Sequence, residues 1–385
     1  MAMRLTLENI GQIRRADLTF GDLTVLVGPQ ASGKSITLQW IKFLADSAQI
    51  QEQLHDYGLD WARNLRPFLD TYFGEGMNSQ WIDAKSRVSW NGKTVDVHKR
   101  VAHRKGIKKE TVFFIPAQRV LALRDGWPRP FGDFSPGDPY VVRAYSEKLR
   151  MLMEKELASG EPIFPQERRL KDEYRALLQE TVFGEFKLSV DKLRSQKRLV
   201  LRQGEGYPLP YMVWSAGQRE FVPLLLGLYW LMPPRRTPRR KGLEWIIIEE
   251  LEMGLHPRAI STVLLLVLEL MKRGYRVCLS THSPQVLDVV WAINSLRENH
   301  ASHDALLDIF EVNKTQPLRE LARIALKKKT KVYYFERNCD EVRDITNLDP
   351  SSTSSEEANW GGLLEFSGRA NEAVARAVAN SQTGD

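Results

Sequence analysis

Gly28-Pro29-Gln30-Ala31-Ser32-Gly33-Lys34-Ser35 fits the pattern G-x-x-x-x-G-K-[ST] without a mismatch. It follows a short apolar run, Leu23 to Val27, and opens a stretch with helical spacing, Ser35 to Ala45. A strand before and a helix after are the context in which this pattern cradles phosphate. Glycines let the backbone curl so that successive N–H groups converge on an anion. The helix N-terminus adds a favourable dipole. Lys34 can then reach the β- and γ-phosphates of a nucleotide, and the Ser35 hydroxyl can ligate Mg²⁺.

Upstream, Met3, Leu5 and Leu7 alternate with polar residues, a turn follows at Asn9 to Gln12, and Ala16, Leu18 and Phe20 alternate again. Period-two spacing predicts a strand, a turn and a second strand. Downstream, residues 46–110 are polar and mixed, with a hairpin expected over Val88 to Val97 around Asn91-Gly92. Thr111 to Ile115 reads as a buried strand stopped by Pro116. Residues 121–182 change character: a Pro- and Gly-rich loop, then charged helical stretches at Val141 to Leu157 and Gln166 to Glu180. We expect a helical insertion there, an arm outside the core. Leu188 to Leu201 returns to strand-like alternation. From Ser215 onward, strands at Trp245 to Ile248 and Arg276 to Ser280 alternate with helices, which argues for an α/β fold with helices packed on a mixed sheet. The expected division is a discontinuous core, 1–120 and 183–335, the insertion, and a partly flexible tail, 336–385.

Three further stretches carry chemistry. In Trp245-Ile246-Ile247-Ile248-Glu249-Glu250 a buried strand ends in two carboxylates, placed for one to hold a magnesium shell and the other to polarise a water. Trp214-Ser215-Ala216-Gly217-Gln218 is a small glycine-containing turn opening a helix, another anion site, although a plain helix cap at Ser215 has the same look. Ser280-Thr281-His282 places an imidazole just past a strand, in reach of a terminal phosphate.

Bulk properties exclude some classes. The chain has 385 residues, 43% hydrophobic and 27% charged, an ordinary composition for a globular protein. No apolar run reaches the ~18 residues of a membrane span; Phe221 to Met232 is too short and contains Pro223. The N-terminus lacks a signal peptide's apolar core, and the expected location is the cytoplasm. The two cysteines, Cys278 and Cys339, make no disulfide framework. Net charge is +7, clustered at His98 to Lys109, Arg235 to Lys241 and Lys327 to Lys331. Each cluster reads either as a solvated face or as a contact for DNA or an acidic partner.

The four elements, in this order, resemble an ABC-type P-loop ATPase head, and in particular the overcoming-lysogenization-defect-like and Rad50-like prokaryotic AAA families. The likeness covers roughly residues 1–45, 110–120 and 185–290. It implies ATP and Mg²⁺ as ligands, with Gly28, Pro29, Gln30, Ala31, Ser32, Gly33, Lys34 and Ser35 binding nucleotide in one copy. Ser215, Gly217 and Gln218 would complete the site from a second copy. Glu250 corresponds to the general base or water-orienting group and His282 to the switch histidine. Ile115-Pro116-Ala117-Gln118-Arg119 matches the segment whose glutamine, here Gln118, senses magnesium and the lytic water. Metal ligation falls to Ser35, Gln118 and Glu249. The families have Asp where this chain has Glu249, and transporters have Gly where it has Ala216.

The resemblance further implies a homodimer or larger homo-oligomer. It suggests the regulatory ATPase of an anti-phage system, such as the phage anti-restriction-induced type, with a Toprim or HNH nuclease effector in trans. No strand-ended Glu followed by Asp-x-Asp is apparent after His282, so no nuclease activity of its own is expected. The alternative is a Rad50-like repair or chromosome-maintenance ATPase that binds DNA directly. The basic clusters favour it, and the absence of long heptad-bearing arms counts against it. A transporter subunit would need a membrane partner and fits least.

Overall fold

The computed structural model describes residues 3–103, 109–157, 162–193, 196–234, 238–337 and 339–382. Its centre is a six-stranded sheet. The strands are β3 (Leu23–Val27), β5 (Val112–Ile115), β8 (Trp245–Ile248), β9 (Arg276–Thr281), β10 (Thr330–Tyr334) and β11 (Arg343–Asp344). The spatial order is β11-β10-β3-β9-β8-β5, all neighbours parallel except the β11 edge.

Alternation within each strand explains why helices cover both faces. Val25, Val27, Phe113, Ile115, Ile246, Ile248, Val277 and Leu279 point into one apolar cluster. Leu26, Val112, Phe114, Trp245, Ile247 and Cys278 point into the other. Parallel strands buried on both sides read as continuous apolar runs, as these do. Antiparallel sheets of four and three strands accompany the central one. One joins β1 (Arg4–Ile10), β2 (Ile13–Thr19) and β4 (Arg87–Trp90) with Lys93–Thr94; its hairpin turns through Asn91 at φ 53° and Gly92 at φ 78°, the mirror-image turn that Asn-Gly favours. The other pairs β6 (Lys187–Leu193) with β7 (Gln196–Arg202) and Leu209–Pro210.

The P-loop helix α1 (Lys34–Asp56) is longer than the apolar spacing suggested and enters the polar, mixed stretch. It kinks at Asp46, whose φ is −120°. Side-chain bonds account for the break. The Asp46 carboxylate accepts from Thr111 N at 2.9 Å and Val112 N at 3.0 Å. Lys42 Nζ donates to Asp46 at 2.8 Å and Glu110 at 3.0 Å. A buried ion cluster thus ties the P-loop helix to the start of β5.

The described part of residues 121–182 packs into the core rather than standing off it as an arm. Helix α2 (Tyr140–Lys155) buries Tyr145, Leu149, Leu152 and Met153 in the main cluster, joined by Ile163, Phe164 and Tyr174. Tyr145 Oη donates to Pro223 O at 2.6 Å. The charges that suggested a solvated arm pair with one another, Arg150 with Glu147 and Glu154. Much of the tail also packs on the core. β11 extends the sheet, Leu348 and Trp360 are buried, and Trp360 Nε1 donates to Asp288 at 2.6 Å. The last helix (Glu365–Gln382) leaves Phe366 and Val374 exposed. No described helix is long and apolar enough to cross a membrane.

Of the basic clusters, Arg104, Lys105, Lys108, Arg235 and Arg236 lie outside the described residues. Several described members serve structure: Arg100 bonds Ser47 and Leu44 O, Arg240 bonds Glu156, and Lys331 bonds Asp344.

Removing one partner of a buried ion cluster strands the others in low dielectric. Lys42→Met is therefore expected to lower unfolding free energy by about 3–5 kcal/mol, read as a reduced urea midpoint at unchanged slope.

Candidate functional site

The P-loop, the second-strand glutamine, the paired carboxylates and the histidine all sit past the carboxyl ends of parallel strands, where ligands bind in open α/β sheets. The P-loop follows β3, Gln118 follows β5, Glu249 and Glu250 follow β8, and His282 follows β9. In the loop, Gly28 has φ 142° and Gly33 φ 99°, values that favour glycine. A Cβ on Gly33 would come within 2.5 Å of Ile13, so the β1–β2 hairpin presses on the loop. Lys34 is buried, with Nζ donating to Gly28 O and Pro29 O, each at 2.7 Å. Burial pulls its pKa down to about 8, against the opposing pull of Glu250 and Glu252. Ser35 is exposed at the helix start.

The two carboxylates are held differently. Glu249 is buried. Its Oε2 accepts from Ala117 N at 3.1 Å, while Oε1 is buried with no hydrogen-bond partner among the described residues. Burial raises its pKa to about 7, with the Ala117 N–H and the Ser35 hydroxyl pulling it down. Glu250 takes a left-handed backbone, φ 43°, fixed by its N–H on Ser280 O at 3.0 Å. That conformation costs a non-glycine residue roughly 1 kcal/mol or more. Its Oε1 lies 3.7 Å from His282 Nε2, and its pKa is lowered, chiefly by the neighbouring His282 imidazole. Neighbouring carboxyls pushed in opposite directions mark divided roles: Glu250 stays ionised, and Glu249 holds its proton up to about neutral pH.

A buried, unpartnered carboxylate oxygen close to the Ser35 hydroxyl suits a hard divalent cation, which takes one or two carboxylates plus phosphate and water oxygens. The residues present fit Mg²⁺. Gln118, three residues past the end of β5, is exposed.

Helix α3 (Ala216–Leu231) starts with a capping box: Gln218 N donates to Ser215 Oγ, and Ser215 N to Gln218 Oε1, both at 3.2 Å. Gly217 is needed for close approach, since a Cβ there would lie 2.9 Å from Gly254 O. Ser215 is exposed. Among the described residues, no hydrogen bond joins Ser215 to Gln218 with the P-loop of the same copy.

Three site residues were not singled out from the sequence. Arg119 is fully buried and bridges two parts of the site: its Nη1 donates to Glu249 O and Glu250 O, each at 3.1 Å, and its Nε to Glu220 O on α3 at 3.2 Å. Its place one residue past Gln118 was the available signal. The Glu252 carboxylate accepts from His282 N. Arg337 bonds Gln30 O of the P-loop and has no sequence signal.

Residues 154–288 match the family described as "AAA domain, putative AbiEii toxin, Type IV TA system". The fold is an α/β one, a mixed sheet flanked by helices with the glycine-rich loop following β3. The matched stretch contains Ser215, both carboxylates and His282; the P-loop lies outside it. No curated protein matches the chain. Solved structures that resemble it include an SMC head bound to the C-winged helix domain of ScpA, at 10% identity over 89% of this chain and 96% of that one, with a TM-score of 0.41. Another is the SMC head domain from Thermotoga maritima, at 13% identity over 75% and 92%, with a TM-score of 0.30.

The raised Glu249 pKa has a sign that can be tested. The folded state holds this proton more tightly than the unfolded state, whose Glu titrates near its ordinary 4.5. Stability from the group is full below 4.5 and is lost as pH rises to about 7. Glu249→Gln keeps a neutral group at every pH. Its melting temperature relative to wild type, without nucleotide or Mg²⁺, is expected to rise between pH 4.5 and 7.5, by the equivalent of up to about 3 kcal/mol. A pH-independent difference would contradict the assignment.

Proposed function

We propose that this chain is an ATP-hydrolysing switch whose nucleotide site is completed by a second copy of itself. The supporting observation is the division within one copy. The P-loop, Glu249, Glu250 and His282 converge at one sheet edge, while the capped, exposed start of α3 has no bond to that loop. In this reading the loop N–H groups and Lys34 hold the phosphates. Ser35 and Glu249 would hold Mg²⁺, with Gln118 a further candidate ligand; the ion would supply charge neutralisation for the phosphoryl group. Glu250, ionised and oriented by His282, positions the attacking water. Ser215 and Gly217 of the second copy present a helix N-terminus to the terminal phosphate. Arg119 links the Glu249–Glu250 turn to α3, so the arrival of a partner at the α3 start is felt at the water-orienting carboxylate.

We further propose that the switch regulates an anti-phage response with an effector, a Toprim or HNH nuclease, acting in trans in the cytoplasm. The toxin-type description of the matched family supports a defence role. The repair reading draws on the basic clusters, several of whose described members are tied up in internal contacts, and we rank it second.

Three variants separate the roles. Lys34→Ala is expected to abolish ATP binding in a calorimetric titration. Glu250→Gln should bind ATP, lose hydrolysis and accumulate as a dimer in light scattering; normal turnover in this variant rules out Glu250 as the water-orienting group. Ser215→Arg should bind ATP as a monomer and hydrolyse it poorly. Mass spectrometry of the species that co-purify with Glu250→Gln from the native host tests the effector: a stoichiometric nuclease favours defence, and DNA alone favours repair.

A further inference from the structure

The P-loop meets a second cation that comes from the far end of the chain. Strand β10 pairs in parallel with β3, Tyr334 beside Val27. The pairing continues past the strand: Phe335 N donates to Val27 O at 2.8 Å. Phe335 O lies so near Gly28 that a Cβ there would stand 2.1 Å from it. Two residues on, Arg337 donates from Nε and Nη2 to Gln30 O at 2.8 and 2.6 Å. On the other side of β3, Thr281 of β9 also pairs with Val27, and His282 follows. The loop is therefore flanked by His282 on one side and Arg337 on the other.

The guanidinium is placed for more than strapping a carbonyl. A guanidinium has five N–H donors, and Gln30 O engages Nε and Nη2 only. Arg337 is exposed and close enough to Lys34 for its charge to oppose that of the lysine. The phosphates nearer the sugar belong at the N–H groups opening α1, Gly33 to Ser35. The Gln30 side of the loop is the opposite end, where a terminal phosphate extends. A cation held there meets ATP but falls short of ADP.

We infer that Arg337 reads the terminal phosphate of ATP in cis. It anchors to Gln30 O and turns its remaining donors toward the γ-oxygens. This inference rests on the ATP reading proposed for the site and adds to it a residue that distinguishes triphosphate from diphosphate. It also gives the segment after β10 a part in sensing nucleotide state.

The test is equilibrium binding of a non-hydrolysable ATP analogue and of ADP, each with Mg²⁺, to wild type, Arg337→Ala and Arg337→Lys, by calorimetry. Loss of a charge-assisted bond to phosphate should weaken the ATP analogue about 10- to 100-fold in Arg337→Ala. ADP should weaken by less than about threefold, and Arg337→Lys should recover part of the difference. Equal weakening for both nucleotides would make Arg337 a loop strap only and overturn the inference, as would unchanged affinity for the analogue. Should Arg337→Ala not fold, the ratio of the two affinities in Arg337→Lys decides on the same criterion. Wild type that binds neither nucleotide overturns the ATP reading itself; wild type that binds both, with an unselective variant, overturns only the role of Arg337.

Discussion

The constraint on which the site depends is the parallel register of β10, β3 and β9. Tyr334, Val27 and Thr281 stand side by side, so the chain leaves three neighbouring strands at the same level and the same edge. The segments just past these strands arrive at one place, bringing Arg337, the P-loop and His282 together. β8 ends alongside, Ile248 level with Leu279 of β9, and delivers the carboxylates. Both faces of these strands are buried, so a one-residue slip would carry apolar side chains across the sheet and break both clusters at once. The register that positions these segments is therefore protected by the core.

Against this rigid frame, the site holds several locally unfavourable features. Glu249 is an acid buried with one oxygen unpartnered, Lys34 is a buried cation with a depressed pKa, and Glu250 takes a left-handed backbone. None favours the empty protein. A polyanionic phosphate chain with a divalent cation would relieve the first two, since the lysine would gain a counter-charge and the carboxylate oxygen a ligand. The strain at Glu250 is fixed by its bond to Ser280 O and aims the carboxylate at His282. Arg119 holds the same turn through the Glu249 and Glu250 carbonyls.

Much of this was legible in the sequence because it is local. Gly28 to Ser35, the apolar run ending in Glu249 and Glu250, and the Ser215 cap are contiguous patterns whose geometry follows from backbone rules. The strands of the central sheet from β3 to β9 were visible for the same reason. The features that escaped depend on distant pairing. α1 runs past Ala45 because its polar second half is held by Lys42, Asp46 and Glu110, and an ion cluster leaves no periodic trace. Residues 121–182 looked like a solvated arm because the charges of α2 outnumber, to the eye, the Tyr145-Leu149-Leu152 stripe that enters the core. Arg337 was invisible because only the β10–β3 pairing brings it to Gln30, from the far end of the chain.

The central claim is that one copy's P-loop works with another copy's α3. Mixing two inactive variants tests it directly. Lys34→Ala retains an intact Ser215 end, and Ser215→Arg retains an intact P-loop. A mixed dimer would therefore contain one complete site. ATP hydrolysis measured for each variant alone and for the mixture should show two near-silent proteins and a mixture with restored turnover. A mixture no more active than the sum of its parts would mean that each copy works with its own residues, contradicting the account.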